Sequence, residues 1–495
     1  MASSSPSTTM LKPLITICGT TGVGKSKLAI DLAVHLAKKQ FGPQGWRGAR
    51  VINADSMQVY KGLDVITNKV PVAEMEGVDH LLMGFKYPGE QYIVGEWVED
   101  SLKLIHEMHQ KKEIPIVVGG TSYWIQHLIF PNRLSKTTEA PQSSDSPWDP
   151  ELQAAIGALP ENLRSIFENL PKEPPSAKIE PDAAFQLHAL LLLLDPPVGQ
   201  RWHWKDTRKV LHSLSIIRSA RRRASDIIAE QAADAGPSSQ PRFRTLCFWL
   251  FAESSYLEPR LDARVDQMID LGLLDEIKEL RRIAELPEHA ASSESGDSHN
   301  DYTLGIYQAI GYKEFHNYLS NPTDRAFNEA VERMKISTRQ YAKKQISWIR
   351  NKLMPAVKDA NSKEETVSLY LLDAAKVDER WADRVRAPAI EVTEKLLDGE
   401  PLPEPRSLSD VAAGLLNVSE KSSNPLDVLQ ARQKTQCDIC TIQDDRPFMV
   451  ETGPEWERHI HSRAHKRMSA RLKRIQSGQQ PYPRSQRETD NDTPS

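Results

Sequence analysis

The sequence predicts an α/β fold: a parallel sheet of the P-loop NTPase kind with helices on both faces. A helical insertion interrupts it, and a C-terminal Cys2His2-type zinc finger follows. Three observations carry this reading. A short apolar run leads into a glycine-rich turn that opens a helix. Further apolar runs of strand length alternate with helical periods. A cysteine pair and a spaced histidine pair stand near the C-terminus.

The elements follow in order. Leu14 to Cys18 reads as a buried strand, and the glycine-rich turn after it opens a helix over 25–39. Val51 to Ala54 reads as a second strand, and 80–84 and 114–118 as two more. Strands alternating with helices imply a parallel sheet covered on both sides. Residues 133–150 are rich in Ser, Thr and Pro and read as a linker. Residues 151–230 are mainly helical in pattern, and the run Thr245 to Phe251 returns to the sheet. The segment 126–242 is therefore expected as a helical insertion between two parts of the core, 12–125 and 243–355. Periodicity predicts helices over 261–283 and 328–353, with a polar, disordered loop at 288–300 between them. Residues 356–430 read as a variable linker, 431–475 as the finger and 476–495 as a disordered tail.

Composition bounds the rest. A chain of 495 residues, 39% hydrophobic and 26% charged, is expected to be a soluble globular protein of two or three domains. The apolar run Leu190 to Leu194 is too short to cross a bilayer, so no membrane partner is expected. A net charge of −4 excludes a polycation, so any nucleic-acid contact must come from local basic patches. The Ser-rich N-terminus lacks an apolar signal core and the arginines of a presequence. Four cysteines are too few for a disulfide scaffold, and Cys18 and Cys247 read as ordinary buried thiols.

Two constellations carry chemistry. Gly19, Thr20, Thr21, Gly22, Val23, Gly24, Lys25 and Ser26 fit the phosphate-loop pattern between a strand and a helix. Glycines let successive N–H groups point at one anion, the helix N-terminus adds partial positive charge, Lys25 adds a full one, and Ser26 offers a hydroxyl to Mg²⁺. The motif specifies a polyphosphate, not a reaction: a kinase binding ATP and an enzyme expelling diphosphate both suit it. Asp55 follows the second strand, at the strand end where open parallel sheets bind ligands. Spacing alone leaves Asp55 as catalytic base, metal ligand or helix cap.

With these residues the chain resembles the tRNA dimethylallyltransferases, also called tRNA isopentenyltransferases. The strings that carry the resemblance are 19–26, 55–64 (DSMQVYKGLD), 119–123 (GGTSY), 264–268 (RVDQM), 308–314 (QAIGYKE) and 338–345 (TRQYAKKQ). They stand in the family's order over roughly residues 14 to 353. The resemblance implies transfer of a dimethylallyl group from dimethylallyl diphosphate to the N6 amine of the adenosine 3′ of the tRNA anticodon, aided by Mg²⁺. It implies Asp55 as the base, and Thr21, Lys25, Ser26 and Arg264 on the diphosphate. It places Asp55, Ser56, Met57, Gln58 and Thr121 against the tRNA. Tyr123-Trp124 and the polar insertions depart from the bacterial pattern and resemble eukaryotic members. A monomer, cytoplasmic with mitochondrial and nuclear pools, is expected. Related rivals are an adenylate isopentenyltransferase and a P-loop kinase.

Gln200, Arg201, Trp202, His203 and Arg208 mix cations with aromatics in the insertion, as phosphate neutralisation and base stacking require. Arg339 and Lys343 recur on one helical face beside apolar residues and are candidates for the same surface. Cys437, Cys440, His459 and His465 have the spacing of a structural Zn²⁺ site, with His461 competing for the third position. Basic residues from Arg463 to Arg474 surround it, so the finger is expected to grip tRNA.

Overall fold

The computed structural model describes residues 11–131, 147–171, 173–234, 240–284, 305–362, 364–376, 379–417, 433–443 and 446–477. The loop expected at 288–300 lies outside these residues, as do most of the 133–150 linker and of the 476–495 tail. The chain divides into two compact units, residues 1–134 with 237–423 and residues 135–236 with 424–495.

The first unit is built on six parallel strands: β1 Pro13–Gly19, β2 Ala49–Asn53, β3 His80–Leu81, β4 Ile114–Val118, β5 Arg244–Phe251 and β6 Val367–Asp373. Their order across the sheet is β3-β2-β4-β1-β5-β6. β1 lies in the middle, with Ile15 opposite Ile116 on one side and Leu246 on the other. A strand flanked on both sides and covered on both faces reads as a continuous apolar run, and all seven residues of β1 are buried. Leu14 and Cys18 join one core and Ile15 and Ile17 the other. Helix α1, Lys25–Leu36, covers the Ile15 face with Leu28, Leu32 and Leu36. Helix α2, Val94–Gln110, covers the opposite face with Trp97, Ile105 and Met108. Each such fully buried side chain contributes about 1.5–3 kcal/mol. Cys18 and Cys247 are buried free thiols, Sγ to Sγ 3.9 Å.

The structure changes four expected elements. The strand expected at 80–84 pairs over only two residues, because Leu82 turns the chain with φ +56°. The helix expected over 261–283 is two helices, Ser254–Asp270 and Leu273–Ala284, broken at Gly272 with φ +97°. The helix expected over 328–353 is Asp324–Trp348, continued by a π-turn, Ile349–Leu353. Its start is capped by Thr323, whose Oγ1 accepts from Ala326 N at 3.1 Å. Finally, the expected linker carries β6, which pairs with β5 from Val367 to Asp373, and the helix Ala387–Asp398.

The second unit packs helices of the insertion, including Pro181–Leu194 and Thr207–Ala220, around Leu187, Leu190, Leu214 and Ile217. Helix α3, Ser122–Ile129, begins within four residues of the expected insertion boundary and lies in the first unit. The second unit also holds a hairpin, β7 Lys434–Gln436 with β8 Met449–Glu451, and the helices Pro454–Ile460 and Arg463–Gln476. Trp204 Nε1 donates to Pro447 O at 3.0 Å and Lys434 N to Gln200 O at 2.7 Å, so insertion and hairpin form one body. Among the described residues no helix is long and apolar enough to cross a membrane.

Candidate active site

The Gly19–Ser26 loop turns from the end of β1 into α1. Gly19, at φ +145°, lies so close to β5 that a Cβ there would stand 2.4 Å from Leu250 O. Gly24 caps α1 in the left-handed region, φ +84°, and no acidic residue stands in the first turn of α1. The helix therefore presents its positive end uncompensated. Lys25 donates from Nζ to Thr20 O at 2.6 Å. Burial lowers its pKa to about 8; Asp55 opposes that shift and the Arg264 charge adds to it. Burial likewise lowers Arg264 to about 10. Two cations held in a desolvated site are a receptor for a polyanion.

Asp55 is aimed by the residues around it. Asn53 Oδ1 accepts from Asp55 N at 3.0 Å, while Asn53 Nδ2 donates to Asp55 O and Leu82 O. The carboxylate accepts from Met57 N at 3.0 Å, and Oδ2 lies beside Gly120 at the end of β4. Burial raises the pKa of Asp55, against the lowering influence of the Met57, Gln58 and Gly120 N–H groups and of Lys25. The cap-like bond to Met57 and the electrostatic coupling to Lys25 thus belong to the same side chain. An acid and an anion-holding loop converge.

A residue quoted in the sequence only as part of a string joins the two. Gln345, on the helix Asp324–Trp348, accepts at Oε1 from Thr21 N at 3.0 Å and donates from Nε2 to Gly120 O at 3.1 Å. Tyr341, one turn earlier, is hydrogen-bonded to Gln345 and sits close enough to Asp55 for its own pKa to be raised, mainly by burial. Helical spacing places both on one face, but only the packing shows that this face meets the loop.

The other expected contacts sort differently. Thr121 Oγ1 accepts from Ser56 N at 3.1 Å and donates to Ser56 Oγ at 3.3 Å, fixing the loop after β2. Gln58 spends its amide on Thr67 O and Asn68 O, at 3.2 and 3.0 Å, and Met57 packs against the core. Arg339 pairs with Asp262 at 2.5 Å, and Lys343 with Glu258 at 3.0 Å. These pairs brace the long helix against the helix Ser254–Asp270.

In the second unit, Arg201 lies 4.6 Å over the Trp202 ring, and Trp202 Nε1 donates to Ser213 Oγ at 3.3 Å. Gln200 is held through its carbonyl by Lys434, and burial lowers the His203 pKa to about 4. Arg208 lies at the start of the helix Thr207–Ala220 and is engaged within the protein. The ligand atoms of Cys437, Cys440, His459 and His465 all lie within 4.8 Å of one another. His465 Nδ1 is 3.5 Å from both sulfurs and 3.1 Å from His459 Nε2. Ligands of a tetrahedral zinc at about 2.0 and 2.3 Å stand roughly 3.3–3.8 Å apart, so the set fits that ion. His461 turns away, its Nδ1 2.8 Å from Glu457 O.

The IPP transferase family model matches residues 58–352 of this chain. The tRNA dimethylallyltransferase of Schizosaccharomyces pombe is 35% identical over 94% of this chain and 96% of its own length. That of Homo sapiens is 29% identical, over 94% of this chain and 87% of its own. A solved structure, described as crystallographic snapshots of a eukaryotic dimethylallyltransferase acting on tRNA, matches with a TM-score of 0.70 at 28% identity. It covers 94% of this chain and 98% of its own.

Proposed function

Since the chain belongs to the IPP transferase family, we propose that it transfers a dimethylallyl group from dimethylallyl diphosphate to tRNA, at the N6 amine of the adenosine 3′ of the anticodon. The observation that carries this reading is the convergence of Asp55 with the Gly19–Ser26 loop, bridged by Gln345. Relatives that extend over 94% of the chain act by name on tRNA, which disfavours a free-adenylate acceptor or a kinase.

The chemistry needs both halves of the site. The adenine amine is a weak nucleophile because its lone pair is delocalised into the ring. As nitrogen bonds to the first carbon of the donor, the carbon–oxygen bond breaks and diphosphate leaves with the electron pair. The amine proton passes to the Asp55 carboxylate. Its raised pKa makes it a stronger base than an ordinary aspartate, and such a group contributes about 10²–10⁴-fold. Charge grows on the departing diphosphate, where Lys25, Arg264 and the loop amides act preferentially on the transition state.

The Ser26 hydroxyl would help hold a magnesium ion, which would supply positive charge against the leaving diphosphate. An acid-free first turn in α1 fits an ion held chiefly by the substrate's phosphates. Cys437, Cys440, His459 and His465 would hold a structural zinc. The basic helix Arg463–Gln476 then presents Arg467, Arg471 and Arg474 to the anticodon stem-loop. A loop adenosine leaves its stack at lower cost than a paired one, which suits a base that must enter a pocket.

The test supplies dimethylallyl diphosphate with either an anticodon stem-loop or AMP. Prenylation is expected on the RNA alone. Asp55→Asn is expected to lower kcat by about 10²–10⁴-fold while tRNA affinity holds. Near-normal turnover by that variant would remove Asp55 as the base.

A further inference from the structure

A loop containing three glycines has wide backbone freedom, so an anion nest made from it needs outside support to hold one shape. That support comes from the chain beyond residue 366. Trp381 precedes the helix Ala387–Asp398 and is 6% exposed. Its indole lies against the phosphate loop: a Cβ at Gly24 would stand 2.8 Å from Trp381 Cζ3 and 2.9 Å from Cη2. Its Nε1 donates to Asp31 Oδ2 on α1 at 2.7 Å, and Lys27 Nζ lies 4.9 Å from the ring centroid. The indole is therefore fixed to the helix that the loop opens.

Arg260 makes a second tie. Its guanidinium donates to Gly22 O at 3.2 Å, to Ala374 O at 3.3 Å and to Ala375 O at 2.7 Å. One planar cation thus binds the loop backbone to the end of β6. β6 itself is paired along β5, so the anchor is the sheet. Neither Trp381 nor Arg260 is among the residues that converge on Asp55.

We propose that Trp381 and Arg260 are positioning residues which hold the Gly19–Ser26 loop in its anion-binding shape before the donor arrives. The segment they draw on lies beyond the 58–352 family match. A preorganised loop has less ordering cost to meet on binding, so the effect falls on donor affinity. The proposal rests on the reading that this loop holds the diphosphate.

The experiment uses the full chain. KM is measured separately for dimethylallyl diphosphate and for an anticodon stem-loop, and inorganic diphosphate binding is measured by calorimetry. Trp381→Ala is expected to raise the donor KM and the diphosphate Kd about ten-fold, leaving the stem-loop KM within about two-fold. Trp381→Phe, which keeps a ring against Gly24, recovers most of the loss. Arg260→Lys keeps the charge but loses the fork across three carbonyls, and it raises the same two constants about three-fold or more. Should Trp381→Ala fail to fold, Arg260→Lys decides. Wild-type constants in Arg260→Lys, or equal changes for the two substrates, overturn the proposal. Lys25→Ala separates the premise from the inference. If it binds diphosphate as tightly as wild type, the phosphate-loop reading falls and the proposal with it. If it loses binding while Arg260→Lys keeps it, the brace alone is wrong.

Discussion

Asp55 and Lys25 stand in one desolvated site, and burial pushes their pKa values toward each other. The Asp55 pKa is raised and the Lys25 pKa lowered to about 8. A base works only as carboxylate, so kcat/KM should fall as pH drops through the raised Asp55 pKa. Lys25 holds an anion only when protonated, so the donor KM should climb above about pH 8. A bell-shaped profile is expected, and the residual activity of Asp55→Asn should lack the acidic limb. A profile flat through the acidic range in the wild type would contradict the base assignment. The position of Asp55 at a strand end was legible in the sequence, because loops at the carboxyl ends of a parallel sheet gather there. Its orientation was not, because that depends on Asn53, Met57 N and Gly120.

At the scale of elements, the long helix Asp324–Trp348 is more than the amphipathic support its periodicity suggests. One face seats Ala330, Val331 and Met334 in the core, while Gln345 closes the gap between Thr21 and Gly120. Removing that amide leaves a part-buried N–H and a buried carbonyl without their partner, and the carbonyl alone costs about 1–3 kcal/mol. Gln345→Ala should therefore lower the thermal midpoint and raise the donor KM together. Gln345→Glu keeps the acceptor for Thr21 N, loses the donor to Gly120 O, and adds negative charge beside the diphosphate. It should raise the donor KM further than Gln345→Ala. If both variants match wild type in donor KM, the bridge is not part of the site. Arg339 and Lys343, cations on the same helix, are by their charge pattern candidates for a tRNA surface. Their ion pairs with Asp262 and Glu258 are an intramolecular use that charge patterning alone does not reveal.

On the scale of the whole molecule, each unit has its own core. The first carries the sheet and the convergent site. The second carries the insertion and the metal-ligand cluster as one body, joined where Trp204 is buried under Pro447. Trp204 therefore anchors the hairpin and is not available to stack on a base. If the basic helix grips RNA, replacing Arg467, Arg471 and Arg474 with Gln should flatten the salt dependence of tRNA binding. The slope of log K against log salt should fall by about two to three, near one unit per lost phosphate contact. An unchanged slope would place the RNA contacts elsewhere.

The sequence by itself determined the parallel α/β class, the glycine-rich loop, the candidate acid and a set of candidate metal ligands in which only the choice between His459 and His461 stayed open. Each is written in local spacing: a strand followed by a glycine turn, a carboxylate at a strand end, a cysteine pair before a histidine pair. Tertiary structure alone decided the rest. β6 emerged from an apparent linker because a short apolar run becomes a strand only when a neighbour offers its free edge. Likewise Arg260, Gln345 and Trp381 meet the loop and its helix only across long sequence separations, 238 from Arg260 to Gly22, 324 from Gln345 to Thr21 and 350 from Trp381 to Asp31. Hydrogen bonds and packing depend on distance in space, and at such separations sequence spacing carries no information about it.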